Sequence, residues 1–196
     1  MYVGRNKGRF GVIRMNCAHR RKCFMQDNTT ENLVKRAKQK DPDAFAELIR
    51  LYTKDMYRIA LAILMNDEDA ADAIQDTVLV CWEKIDTLKY AEYFKTWMTR
   101  ILINRCNTMR KKMQKTCRLE EYEEAAVYDE YNLELKEALS ILEEKYRIIM
   151  TMFYSEGYHI EEIARMLKIP KSTVQTRLHR GRKKLAECYY GIERKV

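Results

Sequence analysis

The chain has 196 residues, 46% of them hydrophobic and 34% charged, with a formal net charge of +8. That is enough apolar material for one ordinary domain or two small ones, and too much for a chain disordered throughout. A content of only 6 Gly and 2 Pro argues against turn-rich sandwiches and barrels and for an all-α fold.

The longest apolar runs, such as residues 59–65, fall far short of the roughly 20 residues needed to cross a bilayer. No membrane insertion is expected. The basic N-terminal stretch lacks the apolar core of a secretory signal, so a cytoplasmic location is expected. The six cysteines include no CxxC pair, which supports neither a disulfide framework nor a zinc site.

Residues 1–30 carry Arg5, Lys7, Arg9, Arg14, Arg20, Arg21 and Lys22 before the first acid, Asp27, and show no sustained amphipathic period. They read as a disordered basic extension, either a nucleic-acid-binding arm or an upstream stretch with translation starting at Met25. Setting those seven cations aside leaves the remaining Lys and Arg balanced against the 29 Asp and Glu to within one charge. Net charge is therefore a poor argument for nucleic-acid binding, and the local clustering of Lys and Arg is what counts. Cys17, His19 and Cys23 stand near one another in this tail, but in an irregular segment the spacing is read as coincidence rather than as a metal site.

From Glu31 the pattern turns helical. Phe45, Leu48, Ile49, Tyr52, Met56, Ile59, Ala60 and Ile63 recur at intervals of three and four, the stripe a helix buries. Asp41-Pro42-Asp43 marks its start and Asn66 its stop. A second helix is predicted over 67–85, with Ile74, Val78, Cys81, Trp82 and Ile85 inward and Asp72, Gln75, Asp76 and Glu83 outward. After a connector over 86–92, a third covers 93–113, with Phe94, Trp97, Met98, Ile101 and Leu102 inward and a basic far end. Trp97 lies on the Phe94 and Ile101 stripe and is assigned to the core.

Residues 119–134 hold Glu120, Glu121, Glu123, Glu124, Asp129, Glu130 and Glu134 without one Lys or Arg. A like-charge block resists compaction, so the domain boundary is placed at a flexible acidic linker over 114–134. Beyond it, Leu135, Leu139, Leu142, Tyr146, Ile149, Met150 and Phe153 predict a helix ending near Gly157. The segment IEEIARMLKIPKSTVQTRLHRGRKKL, residues 160–185, has helix-turn-helix spacing. Ile163, Ala164 and Leu167 face one side, Ile169 plugs the turn, and Val174 and Leu178 continue the contact. Ser172, Thr173, Gln175, Thr176, His179 and Arg180 are left free to meet base edges. Arg177, Arg180, Arg182, Lys183 and Lys184 are placed to neutralise phosphates.

Taken in order, DEDAADAIQDTVLVCWEKI, YFKTWMTRILINRCNTMRKK, the acidic linker and the helix-turn-helix resemble a bacterial extracytoplasmic-function sigma factor of the sigma-70 family. The match runs over about residues 31–190. The resemblance implies two small helical domains, with region 2 over 31–113 and region 4 over 135–190, followed by a tail over 191–196. It implies a chain that binds core RNA polymerase, recognises the minus-thirty-five and minus-ten elements of promoter DNA and promotes melting, in a stress or cell-envelope response. By position it places Asp72, Gln75 and Asp76 on polymerase. Leu88, Lys89, Tyr90, Tyr93, Arg100, Asn104, Arg105 and Arg110 fall on the melted minus-ten strand, with Asn104 in a base pocket that Leu88 and Tyr90 wall.

The same carry-over puts Ser172, Thr173, Gln175, Thr176, His179 and Arg180 on the minus-thirty-five duplex, flanked by the phosphate contacts Arg177, Lys183 and Lys184. Two positions depart from the family pattern. Gln175 stands where Lys or Arg is frequent, which shifts its partner from guanine or phosphate toward adenine. His159 stands where a Ser or Thr often caps the next helix. The linker is expected to enter the channel that later holds RNA, and a membrane-associated anti-sigma factor is the expected inhibitor.

No enzymatic motif is present: there is no phosphate-cradling Gly-rich loop, HExxH or GxSxG, and His19, His159 and His179 are dispersed. No cofactor is implied. The rival reading is a dimeric helix-turn-helix regulator whose N-terminal helices sense a ligand.

Overall fold

The structure, a computed structural model, describes residues 19–116 and 140–193. Its elements are α1 (His19–Lys38), α2 (Pro42–Leu64), α3 (Asp67–Lys84), 3-10 turns Ile85–Thr87 and Ala91–Tyr93, α4 (Phe94–Thr116), α5 (Glu144–Met150), a π turn (Thr151–Ser155), α6 (Ile160–Leu167) and α7 (Lys171–Glu193). Among the described residues there is no strand.

Local chemistry sets the helix ends. Asp41 Oδ1 accepts from the amides of Asp43 at 3.0 Å and Ala44 at 3.1 Å, satisfying donors that α2 leaves unpaired at its start. Those bonds, together with Arg36, hold the Asp41 carboxyl below the usual range. Met65 ends α2 in the left-handed conformation, and Asn66 then caps α3 by accepting from the Asp69 amide at 3.1 Å. Gly157, at φ 72°, terminates the π turn, a backbone region in which a side chain is strained.

α1 to α4 form the first half of the molecule. Leu33, Val34 and Ala37 of α1, Leu48, Met56 and Ile59 of α2, Ala73 and Cys81 of α3, and Phe94, Met98 and Leu102 of α4 are all buried. Each large side chain so removed from water contributes about 1.5–3 kcal/mol. Phe94 sits centrally, its ring 5.7 Å from Tyr52 and 5.9 Å from Trp97. In the second half Tyr146, Ile149, Met152, Ile163, Val174 and Leu178 are buried among α5, α6 and α7.

The halves touch. Arg58 Nε of α2 donates to Glu156 Oε1 at 2.7 Å, Arg147 Nε of α5 donates to the Ala62 carbonyl at 2.6 Å, and the Thr99 and Tyr158 hydroxyls share a buried bond of 2.7 Å.

Three expectations change. The segment read as disordered through Thr30 is helical from His19, because Thr30, Leu33, Val34 and Ala37 give α1 a face that packs on the bundle; residues 1–18 lie outside the described residues. The helix expected up to Gly157 is interrupted: Ser140 is helical, a bend follows at 141–143, α5 starts at Glu144, and its last turn is widened to π. α4 runs through Thr116, so the first residues assigned to the linker are helical; residues 117–139 lie outside the described residues. Residues 194–196 of the expected tail do too.

Candidate functional site

Three surfaces gather the charged and polar side chains singled out in the sequence. On α3, Asp72, Gln75 and Asp76 are all exposed, and their three- and four-residue spacing puts them on one face. They line a groove of about 390 Å³ together with Asp69, Leu79, Met109, Lys112 and Met113. Burial, reinforced by Asp72, pushes the Asp69 carboxyl above its usual range. Leu79 is 63% exposed and Met113 41%, so the acidic face carries an apolar centre. Sequence reasoning passed over that centre. Its signal is Leu79 itself, an apolar residue off the buried stripe of its helix.

The second surface runs from the connector along α4. Tyr90 and Tyr93 are 63% and 55% exposed, with rings 6.0 Å apart and perpendicular. A bond to Glu92 pushes the Tyr93 hydroxyl upward. Lys89, Arg100 and Asn104 are exposed and Arg105 is half-buried. Asn104 lies one turn beyond Arg100, so one strand could meet both. Two expected contacts are differently placed. Leu88, expected to wall a base pocket, is 4% exposed, its side chain in the core and its carbonyl accepting from Lys38 Nζ. Arg110 is paired with Glu144 of α5.

The helix-turn-helix forms the third. α6 begins with the His159 amide donating to Glu162 Oε2 at 2.8 Å, the half of a capping box in which the N3 carboxylate reaches back to the N-cap amide. Lys168 in the left-handed conformation and the Ile169 amide bonded to the Ala164 carbonyl at 3.1 Å make the turn. With Val174 and Leu178 buried, Ser172, Gln175, Thr176, His179 and Arg180 face outward, and Thr173 and Arg177 are partly exposed. Lys183 is exposed, while half-buried Lys184 pairs with Glu143.

Beside this helix Lys145 and Tyr146 join Ser172, Thr173, Thr176, Arg177 and Arg180 around a hollow of about 320 Å³. Hydrogen bonds from Lys145 and Lys184 hold the Glu143 carboxyl down to about 2. Lys145 was not singled out from the sequence, because it belongs to a helix ahead of the motif and only the fold brings it alongside.

Among the described residues no group of three or more His, Cys, Asp or Glu gathers to hold a metal ion, and no helix is long and apolar enough to cross a membrane. Cys81 and Cys106 are buried, which pushes both thiols up to about 12.

Comparison with known proteins follows the same division. Sigma-70 region 2 matches residues 48–116 and Sigma-70 region 4 matches residues 132–185. The ECF RNA polymerase sigma factor SigW of Bacillus subtilis is 30% identical over 172 residues, covering 78% of this chain and 92% of SigW. The chain belongs to the ECF RNA polymerase sigma factors. SigM of Mycobacterium tuberculosis, of the same group, is 30% identical over 151 residues, covering 74% of this chain and 77% of SigM.

Two solved structures share the two-domain helical fold. CnrH in complex with the cytosolic domain of CnrY has a TM-score of 0.64 at 20% identity, over 83% of this chain and 98% of CnrH. The sigma factor RpoE in complex with the anti-sigma factor NepR from Bartonella quintana has a TM-score of 0.63 at 24% identity, over 73% and 94%. This ECF sigma factor is thus an alternative sigma factor, a transcription initiation factor acting in promoter recognition. Region 2 lies in its first half and region 4 in its second.

Proposed function

We propose that the three surfaces divide the work of initiation. The α3 face binds core RNA polymerase, with Asp72, Gln75 and Asp76 pairing with basic groups for orientation and Leu79 as the apolar anchor, since charges at an interface set specificity more than bulk affinity. Tyr90, Tyr93, Lys89, Arg100, Asn104, Arg105 and Arg110 take the melted minus-ten strand, offsetting the few kcal/mol of unstacking by stacking and phosphate contact. Leu88 is left out of that set because it is buried. The outward face of α7 reads the minus-thirty-five duplex, with Gln175 suited to adenine and Arg177, Lys183, Lys184 and Lys145 on phosphates.

The observation that carries this reading is one chain holding both an acidic, apolar-centred face on α3 and an outward helix-turn-helix face on α7. Binding energy drives melting, so no reaction is catalysed by the chain itself. It acts in the cytoplasm, where transcription takes place, in a stress or envelope response. By analogy with CnrH and RpoE, whose structures hold CnrY and NepR, an anti-sigma factor is a partner, and a membrane-associated one suits an envelope signal.

The test is reconstitution with core polymerase on a promoter library with pre-melted minus-ten bubbles. Defined start sites that depend on the added chain are expected. Unaided binding to symmetric duplex sites, with no start-site selection by polymerase, would instead establish a dimeric regulator.

A further inference from the structure

The four helices of the first half run alternately up and down, and that topology sets four helix ends at one pole. The turn over 39–41 folds α1 back along α2, and the Thr30 and Tyr52 hydroxyls, each 11 residues from Asp41, meet at 3.3 Å. Counted out from Asp41, α1 ends 22 residues away at His19 and α2 ends 23 away at Leu64, so the two ends stand level. α3 starts at Asp67, just after α2 stops, and the far end of α4 returns to it, since Asp69 and Met113 line one groove. The pole that carries the α3–α4 groove is therefore the pole at which residues 1–18 join the bundle. Tyr90, Tyr93 and Arg100 of the second surface sit toward the other pole, on the connector and the first turns of α4.

The groove suits a cationic, partly apolar occupant. Asp69, Asp72 and Asp76 follow one another along one face of α3, and burial together with the Asp72 charge pushes the Asp69 carboxyl up, a rise that an added cation reverses. Leu79, Met109 and Met113 give the groove its apolar part. Residues 1–18 match both features. They hold Arg5, Lys7, Arg9 and Arg14 with no acid, and Phe10, Val12 and Ile13 lie between the last two arginines.

Reach and length also agree. From α1 across α2 to α3 is two interaxial distances, about 20 Å, whereas Phe10, which stands nine residues ahead of His19, extends about 30 Å from it. Residues 9–14 when extended span about 18 Å, close to the roughly 15 Å that a helix rises between Asp69 and Leu79.

We propose that residues 1–18 seat in the α3–α4 groove of the free chain, cations on Asp69, Asp72 and Asp76 and apolar side chains on Leu79, Met109 and Met113, and that core polymerase must displace them. The segment is then a tethered competitor for the face. A short tether holds its end at an effective concentration in the millimolar range, so a contact that is weak between separate molecules still fills the groove. The apparent polymerase affinity falls by the fraction of chain whose groove is open. This competition rests on the assignment of the face to polymerase, whereas the seating itself does not.

The experiment uses the full chain and one variant, Arg5→Gln with Arg9→Gln and Arg14→Gln, which leaves Lys7, the bundle and the groove unchanged. A carbodiimide, which joins amines to carboxylates in direct contact, is applied to the free protein and the products are mapped by peptide mass spectrometry. Lys7 of the wild type is expected to join Asp69, Asp72 or Asp76, with the yield falling severalfold in the variant and also when core polymerase is added to the wild type. In a fluorescence titration the variant should need about three- to tenfold less core polymerase than wild type for half-saturation.

Lys7 products that avoid the groove, or a variant that binds core polymerase no better than wild type, would each overturn the proposal. Unchanged polymerase affinity together with weaker promoter binding across all sequences would overturn it in favour of an arm on DNA phosphates. Groove products whose yield is the same with core polymerase bound would leave the seating standing and overturn the assignment of this face to polymerase.

Discussion

Asp76 and Arg180 are both exposed, so replacing either leaves the core untouched and reports on function alone. Asp76→Arg sets a cation against a basic partner surface, and a like-charge contact at an interface costs several kcal/mol. Binding to core polymerase in a pull-down or fluorescence titration should fall at least tenfold with thermal stability unchanged. Arg180→Ala should retain polymerase binding and lose about 1–3 kcal/mol on a minus-thirty-five duplex, with discrimination relaxed at one base pair. Equal loss of both activities in either variant would contradict the division of labour. At this scale the sequence was legible wherever a residue lies on a regular helix, since the 3.6-residue period says which way it points. Trp97, packed against Phe94, follows its stripe. Leu88 lies just beyond a 3-10 turn, where no such period holds, and its inward direction could not be read.

The elements were legible where caps and stripes coincide. Asp41-Pro42-Asp43 starts α2 as expected, and α3 and α4 begin within a residue of their expected places. α1 escaped notice over 19–30 because a basic stretch with few apolar residues carries no visible stripe, whereas the described packing face of the helix includes Thr30, Leu33, Val34 and Ala37. The α5–α7 contact depends on a residue that carries no hydropathy signal. Gly181 is buried, and a Cβ there would stand 3.1 Å from Met150 Cγ, 3.2 Å from its Sδ and 3.5 Å from Tyr146 Cβ. Gly181→Ala gains about 1 kcal/mol in helix propensity and spends it on shifting the flexible Met150 end, so thermal unfolding should move little. Gly181→Val adds methyls with no room and should destabilise by roughly 1–3 kcal/mol. Lys145, on the facing helix, tests the phosphate role. Lys145→Ala should weaken duplex binding uniformly across sequences and lower the salt slope by about one, whereas a loss confined to one base pair would assign it to base readout.

For the whole molecule, two helical domains and their order were readable from separate segments, but their mutual packing was not. Glu156 belongs to a polar SEG tripeptide that reads as a solvated helix end, and nothing local reveals that Arg58 and Lys95, far away in sequence, bury it. The two halves touch through this carboxyl, so their closing on each other, against an open chain in which they are parted, depends on acidity. Burial pushes the Glu156 carboxyl from 4.5 up to about 7 against the lowering pull of Arg58 and Lys95, with Asp55 adding to the rise. In the open chain the carboxyl is solvated and ordinary. Between those two values the closed form holds a proton that the open form has lost, so closure is strongest below about 4.5 and weakens as pH rises through 7. The slope across that window is about 1.4 kcal/mol per unit. The groups facing the carboxyl are Asp55 and Arg58 from α2 and Lys95 from α4, with Tyr158 on its own segment; burial raises the Tyr158 hydroxyl far above its usual value, so it stays protonated across this window. Scattering from the free chain should therefore show a radius of gyration that grows between pH 5 and pH 8, while Glu156→Gln stays compact with a flat profile. General charge repulsion predicts the opposite sign, because a chain of formal charge +8 becomes still more positive in acid. Expansion on acidification, or a Glu156→Gln profile as steep as that of the wild type, would remove Glu156 as the group that sets the balance.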